Sequence, residues 1–156
     1  MMGYNNLKSV WGVLNVRKDK FMKITMVFLP FAAMMLSGGP TAVTVFDSGR
    51  QVTTYGSFFT PIEGAPLGFC LLLSALFCGL CLTFSVARLI REKVWMRKAV
   101  MAVSFAAMTL AVVPLLIRES IIVLPNMLFP ILMGVETLMS YVQIRKQGAE
   151  TNRRTL

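Results

Sequence analysis

Four apolar runs alternate with short polar stretches along the chain, and the runs are long and evenly apolar rather than striped. A hydrocarbon core of ~30 Å is crossed by a helix of ~20 mostly apolar residues. The first run, 21–37, carries Lys23 near its start and Pro30 inside, and stops at Ser37-Gly38-Gly39-Pro40. The second, 66–90, is the longest and least interrupted. The third, 99–117, has Pro114 in its last turn, and the fourth, 121–144, holds Pro125 and Pro130. Proline is tolerated in a first turn, so Pro125 needs no special account, whereas the deeper Pro130 is expected to kink its helix. The pattern predicts an all-α membrane protein, with one four-transmembrane-helix bundle filling residues 1–156.

The stretches between the runs divide into two kinds. Residues 38–65 form the one sizeable polar segment: β-prone Thr41 to Phe46, turn chemistry at Asp47-Ser48-Gly49-Arg50, then β-prone Gln51 to Tyr55. This predicts a small extracytoplasmic β-hairpin in the first outer loop, too small to stand alone and so leaning on the helix ends or on a partner. Tyr55, Phe58 and Phe59 are expected to return the chain to the membrane interface, where aromatic rings favour the headgroup level. Residues 91–98 are an inner loop, 118–120 a tight outer turn and 145–156 a tail. Residues 1–20 form a basic segment whose Leu7, Val10, Trp11, Val13 and Leu14 suggest a helix lying in the interface. The order of four spans with a β-prone first outer loop is similar to that of claudin-type proteins. The loop here has neither the tryptophan nor the paired cysteines of that family, and no function is carried over.

Charge sets the orientation. Fourteen of the 16 basic residues lie in alternate stretches: Lys8, Arg17, Lys18, Lys20 and Lys23 before or at the start of the first run, Arg88, Arg91, Lys93, Arg97 and Lys98 around the middle loop, and Arg145, Lys146, Arg153 and Arg154 after the fourth. Only Arg50 and Arg118 fall in the other two. The positive-inside rule therefore places both termini and the middle loop in the cytoplasm, with the plasma membrane as the expected location. A cleavable signal peptide is the other reading of the first run. The long basic stretch before it, and Pro40 just after the small-residue site, favour an uncleaved anchor.

Composition narrows the chemistry. The chain has 156 residues, is 56% hydrophobic with a mean hydropathy of +0.68, and carries a formal charge of +9. The basic residues flank apolar runs, where anionic headgroups on the cytoplasmic side would meet them, so the bilayer rather than nucleic acid is the expected partner. There is no histidine, which removes the commonest metal ligand and general base. No phosphate-binding glycine loop, zinc spacing or nucleophile elbow occurs. No cofactor and no catalytic residues are expected. The 12 methionines read as flexible core filling rather than copper ligands.

Two features remain. Cys78-Gly79-Leu80-Cys81 has the dithiol spacing, but its mid-helix position predicts packing rather than redox chemistry. Cys70, Ser74, Cys78, Cys81, Ser85 and Arg88 recur on one face of the second helix, and Ala75 and Gly79 make a small-x-x-x-small step on another. Ala102/Ala106 and Ala107/Ala111 repeat that step on the third helix. Glu136, ~13 Å inside the basic boundary at Arg145, is the sharpest single position, because an ionisable group at that depth faces protein or water. Asn126, Ser140, Ser85, Arg88 and Ser104 are its expected polar surroundings. The expected function is that of a non-enzymatic accessory, scaffold or partner-binding membrane subunit, with a membrane-protein partner or a second copy of the chain. A transporter or channel subunit with Glu136 facing a cavity, and a membrane thiol oxidoreductase, are the alternatives.

Overall fold

Helices form along each apolar run, and then continue past it wherever the flanking residues are good helix formers. A computed structural model describes residues 3–47, 50–59, 68–91, 93–116 and 124–154. The elements in chain order are α1 (Gly3–Ser37), β1 (Thr41–Asp47), β2 (Arg50–Gly56), α2 (Gly68–Ile90), α3 (Val94–Leu116) and α4 (Leu124–Arg154). The basic segment and the first run are thus one helix, since the lysines and arginine between residues 17 and 23 favour helix as much as the apolar residues do. α1 stops where Gly39 N–H donates to the Leu36 carbonyl at 3.0 Å and Pro40 forbids continuation. α3 starts ahead of the expected 99 because Trp95, Met96, Arg97 and Lys98 complete its first turn. Only residues 91–93 then separate it from α2. α4 likewise carries the expected tail in helical form to Arg154.

Four stretches are long and apolar enough to cross a bilayer: Lys20–Ser37, Phe69–Ile90, Val94–Leu116 and Asn126–Ala149. They pack as a ring, with α1 against α2, α2 against α3, α3 against α4 and α4 back against α1. The centre holds mostly small residues, Ala33, Ala75, Cys78, Cys81, Ala107 and Ala111, together with Leu71, Val100, Phe129 and Met133. Between helices already in hydrocarbon, association comes from close packing and hydrogen bonds rather than from expelling water, and small residues allow that approach. Large apolar side chains point outward, including Ile24, Phe28, Leu76, Phe105 and Leu138, while glutamate, arginine and serines are buried within. That inversion of the usual soluble pattern suits a lipid surround.

Not every small residue found by spacing sits at a close crossing. Ala75, Ala107 and Ala111 are in the core, but Ala102 is exposed and Ala106 half-buried. A methyl at Gly79 would meet Met34 Cε at an ordinary 3.9 Å. The tight glycine is Gly134 on α4, where a Cβ would lie 3.1 Å from Met108 Sδ of α3. A strict i, i+4 pattern names a face but not the direction it is turned, which explains both outcomes.

β1 and β2 pair antiparallel from Thr41↔Gly56 to Asp47↔Arg50. Val52, Thr53, Thr54 and Tyr55 are all exposed, so these β2 side chains do not lean on the helix ends, and the strands add no layer to the bundle. The tie comes just after β2. Phe58 N–H donates to the Ser37 carbonyl at 3.1 Å, and its buried ring lies against Phe129 with centroids 4.9 Å apart. Tyr55 and Phe59 stay exposed, whereas Phe58 is a core residue rather than an interfacial one. The expected tight turn at 118–120 lies outside the described residues.

Candidate functional site: a polar half-axis ending at Glu136

The bundle axis carries its buried charged residues at one end and is mainly apolar toward the other, where Asn126, Ser37 and Ser74 are buried polar residues. At the polar end, Arg88 in the last turn of α2 is only 5% exposed. Its Nη2 donates to Gln143 Oε1 of α4, and its Nη1 lies 3.4 Å from Met26 Sδ of α1. The end of α2, the end of the α4 span and the start of the α1 span therefore meet at one level. Cys81 and Glu136 stand equally far back from that pair along α2 and α4, ~10 Å at the usual helical rise. Ser85 and Ser140 occupy the turn between, and both are buried.

Glu136 is completely buried, at 0% exposure. Neither of its carboxyl oxygens has a hydrogen-bond partner among the described residues, and Ser140 Oγ is in the same condition. The carboxyl is within electrostatic reach of Arg88 and of the Cys78 and Cys81 thiols. Ser104 of α3 does not join it: Thr137 Oγ1 donates to Ser104 Oγ at 2.9 Å, and Ser104 Oγ is 3.1 Å from the Met101 carbonyl. Asn126 is buried, but toward the opposite end of α4. Among the residues expected around Glu136, then, the structure groups Ser85, Arg88 and Ser140 with it and sets Ser104 and Asn126 apart.

Beyond Glu136 the axis is sealed. Cys78, Met133, Phe129, Phe58, Ala33 and Leu71 fill it. The buried serines in that half, Ser74 and Ser37, each bond their own helix at the Leu71 and Met34 carbonyls, both at 2.7 Å. Cys78 Sγ is 3.3 Å from the Pro30 carbonyl of α1, a weak S–H contact that joins the two helices. Cys70 is half-buried, Cys78 and Cys81 are fully buried, and all three thiols are free. Among the described residues no cluster of histidine, cysteine or carboxylate suits a metal.

The cysteines are expected to act as packing residues. Cys78→Ala with Cys81→Ala should cost less than about 1 kcal/mol in detergent thermal unfolding, the scale of a weak S–H bond and a small volume change. A loss several times larger would mean that the pair does more than fill space.

Sequence reasoning misses Gln143 and Met26, and places Phe58 at the interface and not in the core. Gln143 carries a signal, since Glu136, Ser140 and Gln143 follow one helical face at the i, i+4, i+7 spacing. Cavities among the described residues include three that bear on the site. One of about 10 Å³, room for about one water, is lined by Lys23, Met26, Ser85, Arg88 and Leu89. A groove of about 450 Å³ runs between α3 and α4, and another of about 240 Å³ between α1 and α2. Glu136 lines none of these three.

Four long apolar helices packed together fit a small polytopic membrane protein. No family model, curated protein or solved structure matches the chain.

Proposed function

We propose that the chain is a non-enzymatic accessory subunit that binds a membrane-protein partner through the outer face of α3 and α4. The observation that supports this is the groove between those helices. Its lining includes Ala102 and Gly134, flanked by Phe105, Leu138 and Tyr141, and small residues at bilayer depth let a second helix approach closely. The sealed apolar half of the axis weighs against a through-going channel, and the burial of Cys78 and Cys81 weighs against thiol exchange with another protein.

In this reading both termini and the Arg88 end face the cytoplasm of the plasma membrane, anionic headgroups meet the basic collar there, and the β1–β2 ribbon lies on the other side. A transporter or channel subunit is the second reading. It draws on Glu136, whose carboxyl has no hydrogen-bond partner among the described residues.

Purification in a mild detergent, followed by identification of co-purifying chains, tests the proposal. A stoichiometric membrane partner should accompany the wild type, persist with Ile24→Trp in the α1–α2 groove, and be lost with Ala102→Trp. A chain that purifies alone, or a partner indifferent to Ala102→Trp, would refute it.

A further inference from the structure

The polar half-axis has a feature that partner binding does not use. Glu136 Oε1 and Oε2 and Ser140 Oγ are buried with no hydrogen-bond partner among the described residues. Ser85 Oγ is buried beside the Cys81 thiol. A buried oxygen left in that condition is costly, and ordered water is a usual way for native proteins to satisfy it. These oxygens are stacked rather than scattered: Glu136, then Ser85 and Ser140 one turn nearer the end, then the Arg88–Gln143 pair. Ser85 and Arg88 also line the water-sized cavity that Lys23, Met26 and Leu89 complete. In the other direction Cys78, Met133, Phe129 and Phe58 close the axis, Ser74 and Ser37 are satisfied by their own helices, and the buried Asn126 lies beyond Phe129 at the far end.

We propose that Glu136, Ser140 and Ser85 form a buried hydration and proton-binding site that opens only toward the Arg88 end of the bundle. Water enters past Arg88 and reaches Glu136 through the two serine hydroxyls. A proton from bulk water on that side bonds to a Glu136 oxygen, and it leaves by the same route. Only a proton moves, a hydronium ion becoming water as it is delivered. The site therefore reports the acidity of one compartment and conducts nothing to the other. The charged and titratable groups facing it are Arg88, Cys78 and Cys81 on α2 and Lys23 on α1. Arg97 and Lys98 at the start of α3, with Arg145 and Lys146 on α4, stand nearer the same end. A cation such as sodium suits the site less well, because Arg88 already supplies positive charge. The proposal is independent of any partner on the α3–α4 face.

Infrared spectroscopy of the full chain in vesicles tests this, with D2O and bath acidity as the probes. Orientation is read from protease access to a C-terminal tag, because Arg88 meets the C-terminal part of α4. Loss of the carboxylic acid C=O band in Glu136→Gln assigns it, and Glu136→Asp, which moves the band instead of removing it, gives the same assignment independently. The Glu136 band should shift within minutes of D2O exchange. It should rise and fall with pH on the tag side and ignore pH on the opposite side. Ser85→Ala with Ser140→Ala should slow the D2O shift by about tenfold, as expected when a hydrogen-bonded relay is broken. A band that titrates from the opposite side, from both sides, or from neither overturns the proposal. So does a shift that takes hours in the wild type.

Discussion

Phe129→Ala is expected to lower the stability of the bundle by about 2–3 kcal/mol, less than the ~3–5 typical of a buried phenylalanine in a soluble core. The ring is fully buried, packs at a tilt against Phe58, and belongs to the plug that closes the apolar half of the axis. Between helices in hydrocarbon the transfer part of the usual cost falls away, since the separated helices are solvated by lipid, and the cavity and the lost contacts remain. Leu138→Ala on the same helix is the control. Leu138 is 62% exposed on the outer face, and its loss should cost less than about 0.5 kcal/mol, the usual size of a surface substitution. Unfolding in mixed micelles measures both. Equal losses for the two would mean that Phe129 does not face the interior.

The second large effect is expected at the other end of the axis. Arg88→Met keeps an apolar stem but leaves Gln143 without its donor, and should cost about 2 kcal/mol. Arg88→Lys should recover only part of this, since an ammonium does not reproduce the planar guanidinium that reaches Gln143 and Met26 together. Gln143→Leu should be of similar size. The double variant should be less damaging than the two single changes added, by about 1–2 kcal/mol, because it removes both buried partners of one contact. Strict additivity would show that the pair is not formed in the membrane.

Much of this arrangement is legible in the pattern of residues, for physical reasons that can be named. An ionisable residue inside an apolar run is too costly to face lipid, so Glu136 stands out in the sequence by itself. Ser140 and Ser85 follow from helical spacing, and Arg88 from its place at the basic boundary. The end of α4 is less legible. Lysine, glutamine and alanine between residues 145 and 149 propagate a helix in water as readily as leucine does in lipid, so the limit of an apolar run is not the limit of a helix. Phe58 reads as interfacial because aromatic residues near a membrane boundary suit the headgroup level, and only the fold shows that the chain after β2 turns this ring onto Phe129. Gly134 escapes notice for the opposite reason. It has no partner at the four-residue spacing, and its role depends on Met108 of another helix. Depth alone assigns Ser104 to Glu136, whereas the rotation of α3 gives it to Thr137.

Arg88, Gln143 and Met26 at one end, and Ser37, Phe58 and Phe129 at the other, all require four spans with α2 and α4 running in the same direction. The proposed partner-binding face and the proposed proton site both rest on that arrangement, and the proposed orientation puts its basic end in the cytoplasm. Reporter fusions test it most directly. A reporter after Lys93 and one after Leu156 should both give cytoplasmic signals, and one inserted at Arg50 should give an external signal. A cytoplasmic signal at Arg50 would contradict that orientation, and opposite signals at Lys93 and Leu156, or one signal at all three sites, would contradict the four-span bundle.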